Sequence, residues 1–260
     1  MVNLNNSNIL KIFLLFTSIT LSSCASTKQI NTDIEASYEI SDPFEEVNRA
    51  VFSFNNVVDS ILLEPVATGY QKVIPQTARK GVRNFLVNLR SPIDVGNQIL
   101  QGDLIGAADG TTRFFVNTLL GLGGLIDIAA KEGLEHEPED FGQTLAVWGV
   151  GDGPYTVLPL IGPNNLRDQV GLLADSYVDP IRLYLHNTNR EEIYYSKLSV
   201  KTIDTREELL TILSDLKNNS IDYYAAVRSV IYQRRNALIS DMSEEDRYSA
   251  EMPDFEDEEW

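Results

Sequence analysis

Apolar residues recur at spacings of three or four along most of this chain, and glycine or proline interrupts each run. In an α-helix that spacing places the apolar side chains in one stripe. The clearest run consists of Phe44, Val47, Val51, Phe54, Val58 and Ile61. Asp42 at the N-cap, Pro43 at the first helical position and Glu45 at the third predict where this helix starts. Pro65 predicts where it ends.

Further helices follow the same pattern. They are predicted over residues 76–89, 91–100 and 103–120. Strand patterns are scarce, and the best candidate is the short run 155–158, which Pro159 ends. Because helical patterns dominate, the sequence predicts an all-α fold.

The C-terminal third of the chain also has a helical pattern. The tetrapeptide 205–208, Thr-Arg-Glu-Glu, fits a capping box ahead of a leucine-rich helix over 209–216. A last helix places Tyr223, Val227, Val230 and Ile231 on one face. Three arginines near its end, Arg228, Arg234 and Arg235, are expected to favour its dipole.

The charge of the chain excludes one class of partner. Its 260 residues include 38 acidic and 21 basic ones, and the formal net charge at pH 7 is −17. A nucleic-acid binder needs clustered lysine and arginine to displace counterions, so no nucleic-acid partner is expected. Residues 241–260 hold ten acids and one base without a core-forming pattern, which predicts a disordered acidic tail. The tail either solvates the chain or attracts a basic partner.

Cys24 is the only cysteine, which excludes an intramolecular disulfide and a multi-cysteine zinc site. Residues 1–23 combine a polar start with an apolar stretch too short to span a bilayer, as in a secretory signal peptide. Leu-Ser-Ser-Cys at 21–24 resembles a bacterial lipobox, which implies that Cys24 is an acylated lipid anchor. The alternative is an ordinary secretory signal with an incidental thiol. The residue after Cys24 is Ala25, not the aspartate that resembles an inner-membrane retention signal, so we expect the lipoprotein to reside in the outer membrane, facing the periplasm. Residues 24–41 are expected to form a tether.

Catalytic motifs are missing from the sequence. It contains no Gly-x-Ser-x-Gly elbow, no phosphate-binding Gly-Lys-Ser/Thr loop and no His-Glu-x-x-His. His136 lies in the acidic run 135–140, which is either a solvated loop or a divalent-cation site. Asp168 is expected to form a structural ion pair with Arg167 or another base. We therefore expect no catalytic residue, no cofactor and no metal ion, and the chain is not expected to be an enzyme.

The segment 114–130 is unusually apolar, and Gly121, Gly123 and Gly124 make an unbroken helix there unfavourable. It is either a core helix with a glycine bend or a segment half-embedded in one membrane leaflet. The candidate membrane-embedded residues are Phe114, Phe115, Leu119, Leu120, Leu122, Leu125 and Ile126. A second glycine cluster, Gly149-x-Gly151-x-Gly153-Pro154, is interpreted as a flexible joint, since Pro154 is unsuited to a nucleotide-binding loop.

Several longer motifs occur in order between residues 42 and 236. They are Asp42-Pro43-Phe44-Glu45-x-x-Asn48-Arg49, Arg113-Phe114-Phe115-x-Asn117-Thr118-x-x-Gly121-x-Gly123-Gly124-x-x-Asp127, Phe141-Gly142-Gln143-Thr144-Leu145, Gly149-x-Gly151-x-Gly153-Pro154-Tyr155-x-x-Leu158-Pro159 and, after Gly162, Leu166-Arg167-Asp168. This set resembles the MlaA (VacJ) family of outer-membrane lipoproteins, with 42–240 as the family domain. In this resemblance Asp42, Pro43, Asn48, Arg49, Arg167 and Asp168 belong to the structural motifs.

The resemblance implies a function in lipid transport. Family members are all-helical, ring-like proteins set in the periplasmic leaflet of the outer membrane, associated with trimeric porins. They remove mislocalised phospholipid from the outer leaflet through an amphipathic channel. They pass it to a soluble periplasmic carrier of the MlaC type, which maintains lipid asymmetry.

The resemblance also assigns residues to the channel. Gly149 and Gly151 would be hinge positions, and Phe52, Ser53, Phe54 and Asn55 would lie where the function is sensitive to change. A non-transporting lipoprotein adaptor that tethers partner proteins is the main alternative function. A periplasmic lipid hydrolase is a more distant one.

Overall fold

The structure is a computed structural model that describes residues 40–240. The signal peptide 1–23, Cys24, the tether as far as residue 39 and the acidic tail 241–260 lie outside the described residues. The predictions for these segments, including the lipid anchor, stay predictions.

Helices make up most of the described chain, which confirms the all-α fold class. The first five helices are α1 Glu45–Val58, α2 Glu64–Val73, α3 Gln76–Gln101, α4 Leu104–Leu119 and α5 Phe141–Val147. The last five are α6 Leu166–Val178, α7 Pro180–Asn187, α8 Glu191–Glu208, α9 Leu210–Asn219 and α10 Tyr223–Ile239. Between α5 and α6, strands β1 Tyr155–Leu158 and β2 Gly162–Asn165 form an antiparallel hairpin, with Tyr155 opposite Asn165. The strand predicted at 155–158 is confirmed.

The prediction that Pro65 ends the first helix is wrong. The chain passes from α1 through a π-helical turn, Asp59–Leu63, directly into α2, and Pro65 lies in the first turn of α2. A proline ring clashes with the carbonyl group four residues earlier in a regular α-helix. Here that carbonyl belongs to Ile61, inside the wider π-helical turn, so the chain stays helical as far as Val73.

The two short helices predicted over 76–89 and 91–100 are a single helix, α3, with Pro92 in its interior. A proline inside a helix costs roughly 3 kcal/mol relative to alanine. Contacts with other helices hold α3 on both sides of the proline. Asn88 Nδ2 donates to Thr118 Oγ1 at 2.9 Å, and Asn97 Nδ2 donates to Asp175 Oδ1 at 3.1 Å. The helix predicted at 103–120 is confirmed as α4, with Asp103 as its N-cap.

The predicted capping box at 205–208 is also wrong, because these residues form the last turn of α8. Glu207 accepts a hydrogen bond from Arg79 Nη1 at 2.7 Å. Arg83 pairs with Glu207 and with Asp204. Glu207, which the local sequence pattern assigned to a helix cap, instead pairs with arginines of α3 that are distant in the sequence.

The hydrophobic core of the described chain is small and lies where α1, the hairpin and α10 meet. It consists of Phe52, Tyr155, Val157, Tyr224 and Val227. The rings of Phe52 and Tyr224 meet edge to face with centroids 5.4 Å apart. Elsewhere within residues 40–240, buried polar and charged residues outnumber buried hydrophobic ones. This reverses the usual distribution in water-soluble domains.

Helices α5 and α6 touch through their backbones at Gly142 and Gly171. A Cβ atom on Gly171 would lie 2.3 Å from the amide nitrogen of Gly142 and 2.7 Å from its Cα. No side chain fits at that distance, so the two helices can approach this closely only if residue 171 is glycine.

Replacing Gly171 by alanine should lower the free energy of unfolding by about 1–3 kcal/mol, because α5 and α6 must move apart. Gly96→Ala, in the interior of α3, is the matched control, since a Cβ there meets no atom within 4 Å. Its higher helix propensity should raise the free energy of unfolding by roughly 0.5–1 kcal/mol. Chemical unfolding followed by circular dichroism measures both, and equal stabilities would contradict the close helix contact.

Candidate functional site

Large apolar side chains occupy much of the surface of residues 40–240. The stripe on the first helix faces mostly outward, since Phe54 is 52% exposed while its neighbour Phe52 is 8% exposed. The tip between α3 and α4 exposes Ile99, Leu100, Leu104 and Ile105. Exposed apolar surface of this extent marks a contact with a membrane or with another protein. Within the described residues, no helix has the length and apolarity needed to cross a bilayer.

The predicted membrane segment forms the end of α4 and the turn after it. Six of its candidate residues are exposed, namely Phe115, Leu119, Leu120, Leu122, Leu125 and Ile126, whereas Phe114 is half-buried. The helix ends before the glycines, as predicted, and Gly123 and Gly124 have φ of +74° and +97°. We call residues 119–126 the apolar loop. Its exposure contradicts the alternative of a buried core helix.

Three polar residues hold the base of the apolar loop. Asn117 Oδ1 accepts hydrogen bonds from the backbone N–H groups of Ile128 and Ala129 at 2.8 and 3.0 Å. Asp127 accepts from Asn117 Nδ2 at 2.9 Å and from Arg113 Nη2 at 2.8 Å. Burial acts to raise the pKa of Asp127, but these bonds and one from the Ala130 amide outweigh it, so the pKa lies below its usual range.

Two leucines stand at loop tips with left-handed backbone conformations. Leu122 in the apolar loop has φ +56°, and Leu160 in the hairpin loop has φ +63°. Both side chains are more than two-thirds exposed. This conformation is costly for a residue with a Cβ, and water offers an exposed leucine no compensating contact. Both features suit loop tips that insert into an apolar phase.

The hairpin is held on α1 by two asparagines seven residues apart, on the same face of the helix. Asn48 Nδ2 donates to Tyr155 O at 3.0 Å, and Asn48 Oδ1 accepts from Val157 N at 2.9 Å. Asn55 Nδ2 donates to Leu158 O at 3.0 Å, and its Oδ1 accepts from Leu160 N at 2.9 Å. These amides satisfy backbone groups of β1 and of the hairpin loop that β2 does not satisfy.

The four candidate channel residues of α1 therefore have different surroundings. Phe52 lies in the hydrophobic core, Ser53 and Phe54 are exposed, and Asn55 binds the hairpin. The sequence did not reveal the contacts of Asn48 and Asn55 with β1, since their partners are backbone atoms more than 100 residues away. The only local indication of a shared partner was that Asn48 and Asn55 lie seven residues apart, on one face of the helix.

Asp42 is not the N-cap of α1, contrary to the prediction. The helix begins at Glu45, with Phe44 at the cap position and Pro43 in an exposed turn. The Asp42 carboxylate instead accepts from Asn48 Nδ2 at 2.8 Å, Tyr224 Oη at 2.5 Å and Arg228 Nη1 at 2.7 Å. Asp42 thus ties the start of the domain to α10. Arg228 therefore forms an ion pair with Asp42, whereas the sequence predicted that it would stabilise the dipole at the end of α10.

Arg49 makes a second connection between α1 and α10. Its guanidinium donates to Asp222 from two nitrogens, at 3.1 and 2.6 Å, and lies 4.4 Å from the centroid of the Tyr224 ring. Hydrogen bonds from Arg49 and from the Ala225 amide lower the pKa of Asp222 to about 2. Asp222 is also the N-cap of α10, accepting from Ala225 N at 3.2 Å.

A chain of ion pairs, with Arg167, Asp168 and Arg235 buried, joins α5, α6 and α10. Arg235 donates to both oxygens of Asp140 at 2.6 and 2.7 Å and to Asp168 Oδ1 at 2.9 Å. Arg167 contacts Asp168 at 3.0 Å and Asp152 at 2.6 Å. Asp168 thus forms a structural ion pair with Arg167, and it also pairs with Arg235. The sequence did not show the pairing of Asp140 with Arg235, because the two residues are 95 positions apart.

Gly149 and Gly151 lie in the segment that connects α5 with β1. Gly149 has φ +86° and closes the end of α5, with its N–H donating to Ala146 O at 2.8 Å. Such a residue after a helix is usually glycine, because side chains disfavour this conformation. A Cβ atom on Gly151 would meet nothing within 4 Å. The structure therefore leaves room for movement at Gly151, and the hinge stays a prediction.

Metal-ligand geometry is missing from the described chain, since no three histidine, aspartate, glutamate or cysteine side chains within residues 40–240 converge on one point. The arrangement as a whole is amphipathic. Charges pair inside, apolar side chains stand outside, and polar amides anchor the loops that carry the most exposed leucines.

Comparison with known proteins agrees with this arrangement. The MlaA lipoprotein family model matches residues 40–238. The chain belongs to the MlaA lipoprotein family. An Escherichia coli (strain K12) protein named "Intermembrane phospholipid transport system lipoprotein MlaA" is 40% identical over 202 residues, covering 76% of this chain and 78% of its own. The Haemophilus influenzae protein of the same name is 31% identical over 231 residues, covering 87% and 89%.

An uncharacterized protein of Rickettsia bellii is 37% identical over 210 residues, covering 80% of this chain and 81% of its own. Among solved structures, one from work described as "Structural basis for maintenance of bacterial outer membrane lipid asymmetry" is 40% identical. It matches with a TM-score of 0.67 and covers 76% of this chain and 99% of the other. The family resemblance drawn from the motifs is therefore confirmed over most of the chain.

In the Cys24→Ala protein, which lacks the predicted acyl anchor, replacing Leu122 by asparagine should weaken binding to phospholipid vesicles by about tenfold or more, since burying a leucine is worth roughly 1.5–3 kcal/mol. Its stability should hold or rise, because asparagine tolerates φ near +56° better than leucine does. Leu122→Met, which keeps the apolar character, is the control and should bind nearly as the wild type. Vesicle flotation measures binding, and unchanged flotation of Leu122→Asn would refute insertion of the apolar loop.

Proposed function

We propose that this chain is an outer-membrane lipoprotein, anchored through Cys24 on the periplasmic side, that removes mislocalised phospholipid from the outer leaflet. The proposal has two supports. Relatives that align with most of this chain carry the name of an intermembrane phospholipid transport lipoprotein. The described residues place charges inside and large apolar side chains outside, and this second observation carries the proposal.

The physical problem that such a protein solves is the passage of a head group. A phospholipid that leaves its leaflet must move a charged head group past hydrocarbon, and burying an unpaired charge in an apolar medium is very costly. A polar path beside an apolar outer surface removes most of that cost, because the head group exchanges water for protein polar groups while the acyl chains stay in lipid. No bond is broken, so the proposed protein is not an enzyme.

The proposed assembly has three further parts. The helices form a ring-like body in the periplasmic leaflet, a trimeric porin holds it in the outer membrane, and a soluble periplasmic carrier of the MlaC type receives the lipid. The carrier gives the flow its direction, because a passive path has none of its own.

Deleting the gene for this chain should raise the phospholipid content of the outer leaflet and lower the resistance of the cells to detergent. Labelling of surface-exposed phospholipid in intact cells measures the first effect. The wild-type gene should restore asymmetry, whereas Cys24→Ala should fail to do so, because the unacylated chain loses its anchor. An unchanged outer leaflet in the deletion strain would contradict transport and favour the adaptor function.

Movement at the joint 148–154 is proposed to control access to the path. Valine at position 151 fits the static structure, because a Cβ there meets no atom, but a β-branched residue restricts backbone motion. Gly151→Val should therefore impair restoration of lipid asymmetry while changing the free energy of unfolding by no more than about 0.5 kcal/mol. Gly151→Ala is the control and should restore asymmetry better than valine. Full activity of Gly151→Val would count against the hinge.

A further inference from the structure

A cavity of about 280 Å³ lies between α3, α4 and the segment 133–137. Two glycines of α4, Gly106 and Gly110, form part of its wall. A Cβ atom on Gly110 would lie 3.0 Å from Gln98 Oε1 and from Val95 Cγ2. Side chains at these two positions would take up space between the helices, so the glycines help to keep the cavity open.

The lining of the cavity is strongly acidic. Four carboxylates contribute to it, those of Asp94, Asp109, Glu135 and Glu137. Arg113 and His136 also line the cavity. Arg113 pairs with Asp127 at 2.8 Å and Asp94 pairs with Arg90 at 3.0 Å, so Asp109 and Glu135 supply the negative charge that these pairs do not balance. Asp109 has no hydrogen-bond or ion-pair partner among the described residues. A cavity with this balance of charge attracts a cation.

Two buried acceptor atoms in this lining lack hydrogen bonds. Asp94 Oδ1 accepts from Arg90 Nε at 3.0 Å, but Asp94 Oδ2 has no partner, and neither has Gln98 Oε1. Both residues are only 3% exposed. They are four residues apart on one face of α3, so a single ligand can reach both. Native structures rarely leave such buried acceptors without a donor.

We infer that this cavity binds the primary ammonium group of an ethanolamine-type phospholipid head group. This inference rests on the proposed function and names the chemical class of its substrate. A primary ammonium offers three N–H donors and one positive charge, which match the free acceptors and the acidic lining. A choline group carries methyl groups in place of these donors, and a glycerol head group carries no charge.

Two further observations favour this ligand. The lining carboxylates do not converge in the way that a metal ion requires, since no such group occurs within residues 40–240. The exposed Leu104 and Ile105 precede Gly106 by less than one helical turn, so acyl chains can lie on the tip of α3 and α4 while the head group enters. Burial raises the pKa of Asp94 to about 7, and a bound cation would favour its charged form.

The test measures binding of water-soluble head groups to the purified full-length lipoprotein by calorimetry. Glycerophosphoethanolamine should bind about tenfold or more tightly than glycerophosphoglycerol or glycerophosphocholine, since only the ethanolamine head group offers N–H donors for charge-assisted hydrogen bonds to a buried carboxylate. Asp94→Asn should remove most of this preference. Asp109→Asn, an exposed position without a partner, should weaken it by roughly threefold even if Asp94→Asn fails to fold. Glu132→Gln, an exposed acid outside the cavity, is the charge-matched control and should bind as the wild type.

Equal binding of the ethanolamine and glycerol head groups would overturn the inference and leave the cavity as a water-filled space. Glycerophosphocholine binding as tightly as glycerophosphoethanolamine would show that positive charge alone is recognised, and it would overturn the inference as well. So would a loss in Glu132→Gln equal to that in Asp109→Asn, because the effect would then be one of net charge. The proposed function fails on a different result, an unchanged outer leaflet in the deletion strain, so the two failures are distinguishable.

Discussion

Arg235 lies between Asp140 and Asp168 in the interior, and the architecture of the described chain depends on pairings of this kind. A buried charge without a partner is prohibitively costly, so each of these arginines fixes the positions of the carboxylates around it. Arg235 joins α10 to α5 and α6, Arg83 joins α3 to α8, and Arg228 joins α10 to Asp42. Removing Arg83 or Arg228 would leave the buried carboxylate of Asp204 or Asp42 without its arginine.

The buried ion pairs and amides also explain why the surface is apolar. Because ion pairs and amides occupy much of the space between the helices, many leucine, isoleucine and phenylalanine side chains face outward. Water does not favour such a surface, whereas hydrocarbon does. The same arrangement that makes the fold poorly suited to bulk water makes it suited to an interface with lipid or with another protein.

The sequence predicted the helical class, the helix at 103–120, the strand 155–158 and the family. It did not predict the continuity of α1 with α2, where a π-helical turn accommodates Pro65. Nor did it predict the continuity of α3 across Pro92, where contacts with distant helices outweigh the local effect of proline. It assigned Asp42 and the 205–208 segment to helix caps, since both short patterns are compatible with a cap. Their actual partners, Arg228 and Arg79, lie 186 and 128 positions away, and no local pattern reports such a distance.

The central claim is that the exposed leucines contact lipid while the polar lining of the cavity between α3 and α4 does not. Spin labels at Leu122→Cys and Leu160→Cys in the acylated protein, reconstituted in phospholipid bilayers, test it through their relative accessibility to oxygen and to a water-soluble nickel complex. A label at Asp109→Cys provides the polar reference. The account predicts high oxygen and low nickel accessibility at 122 and 160 and the reverse at 109. Nickel accessibility at 122 and 160 equal to that at 109 would place the leucines in water and contradict the account.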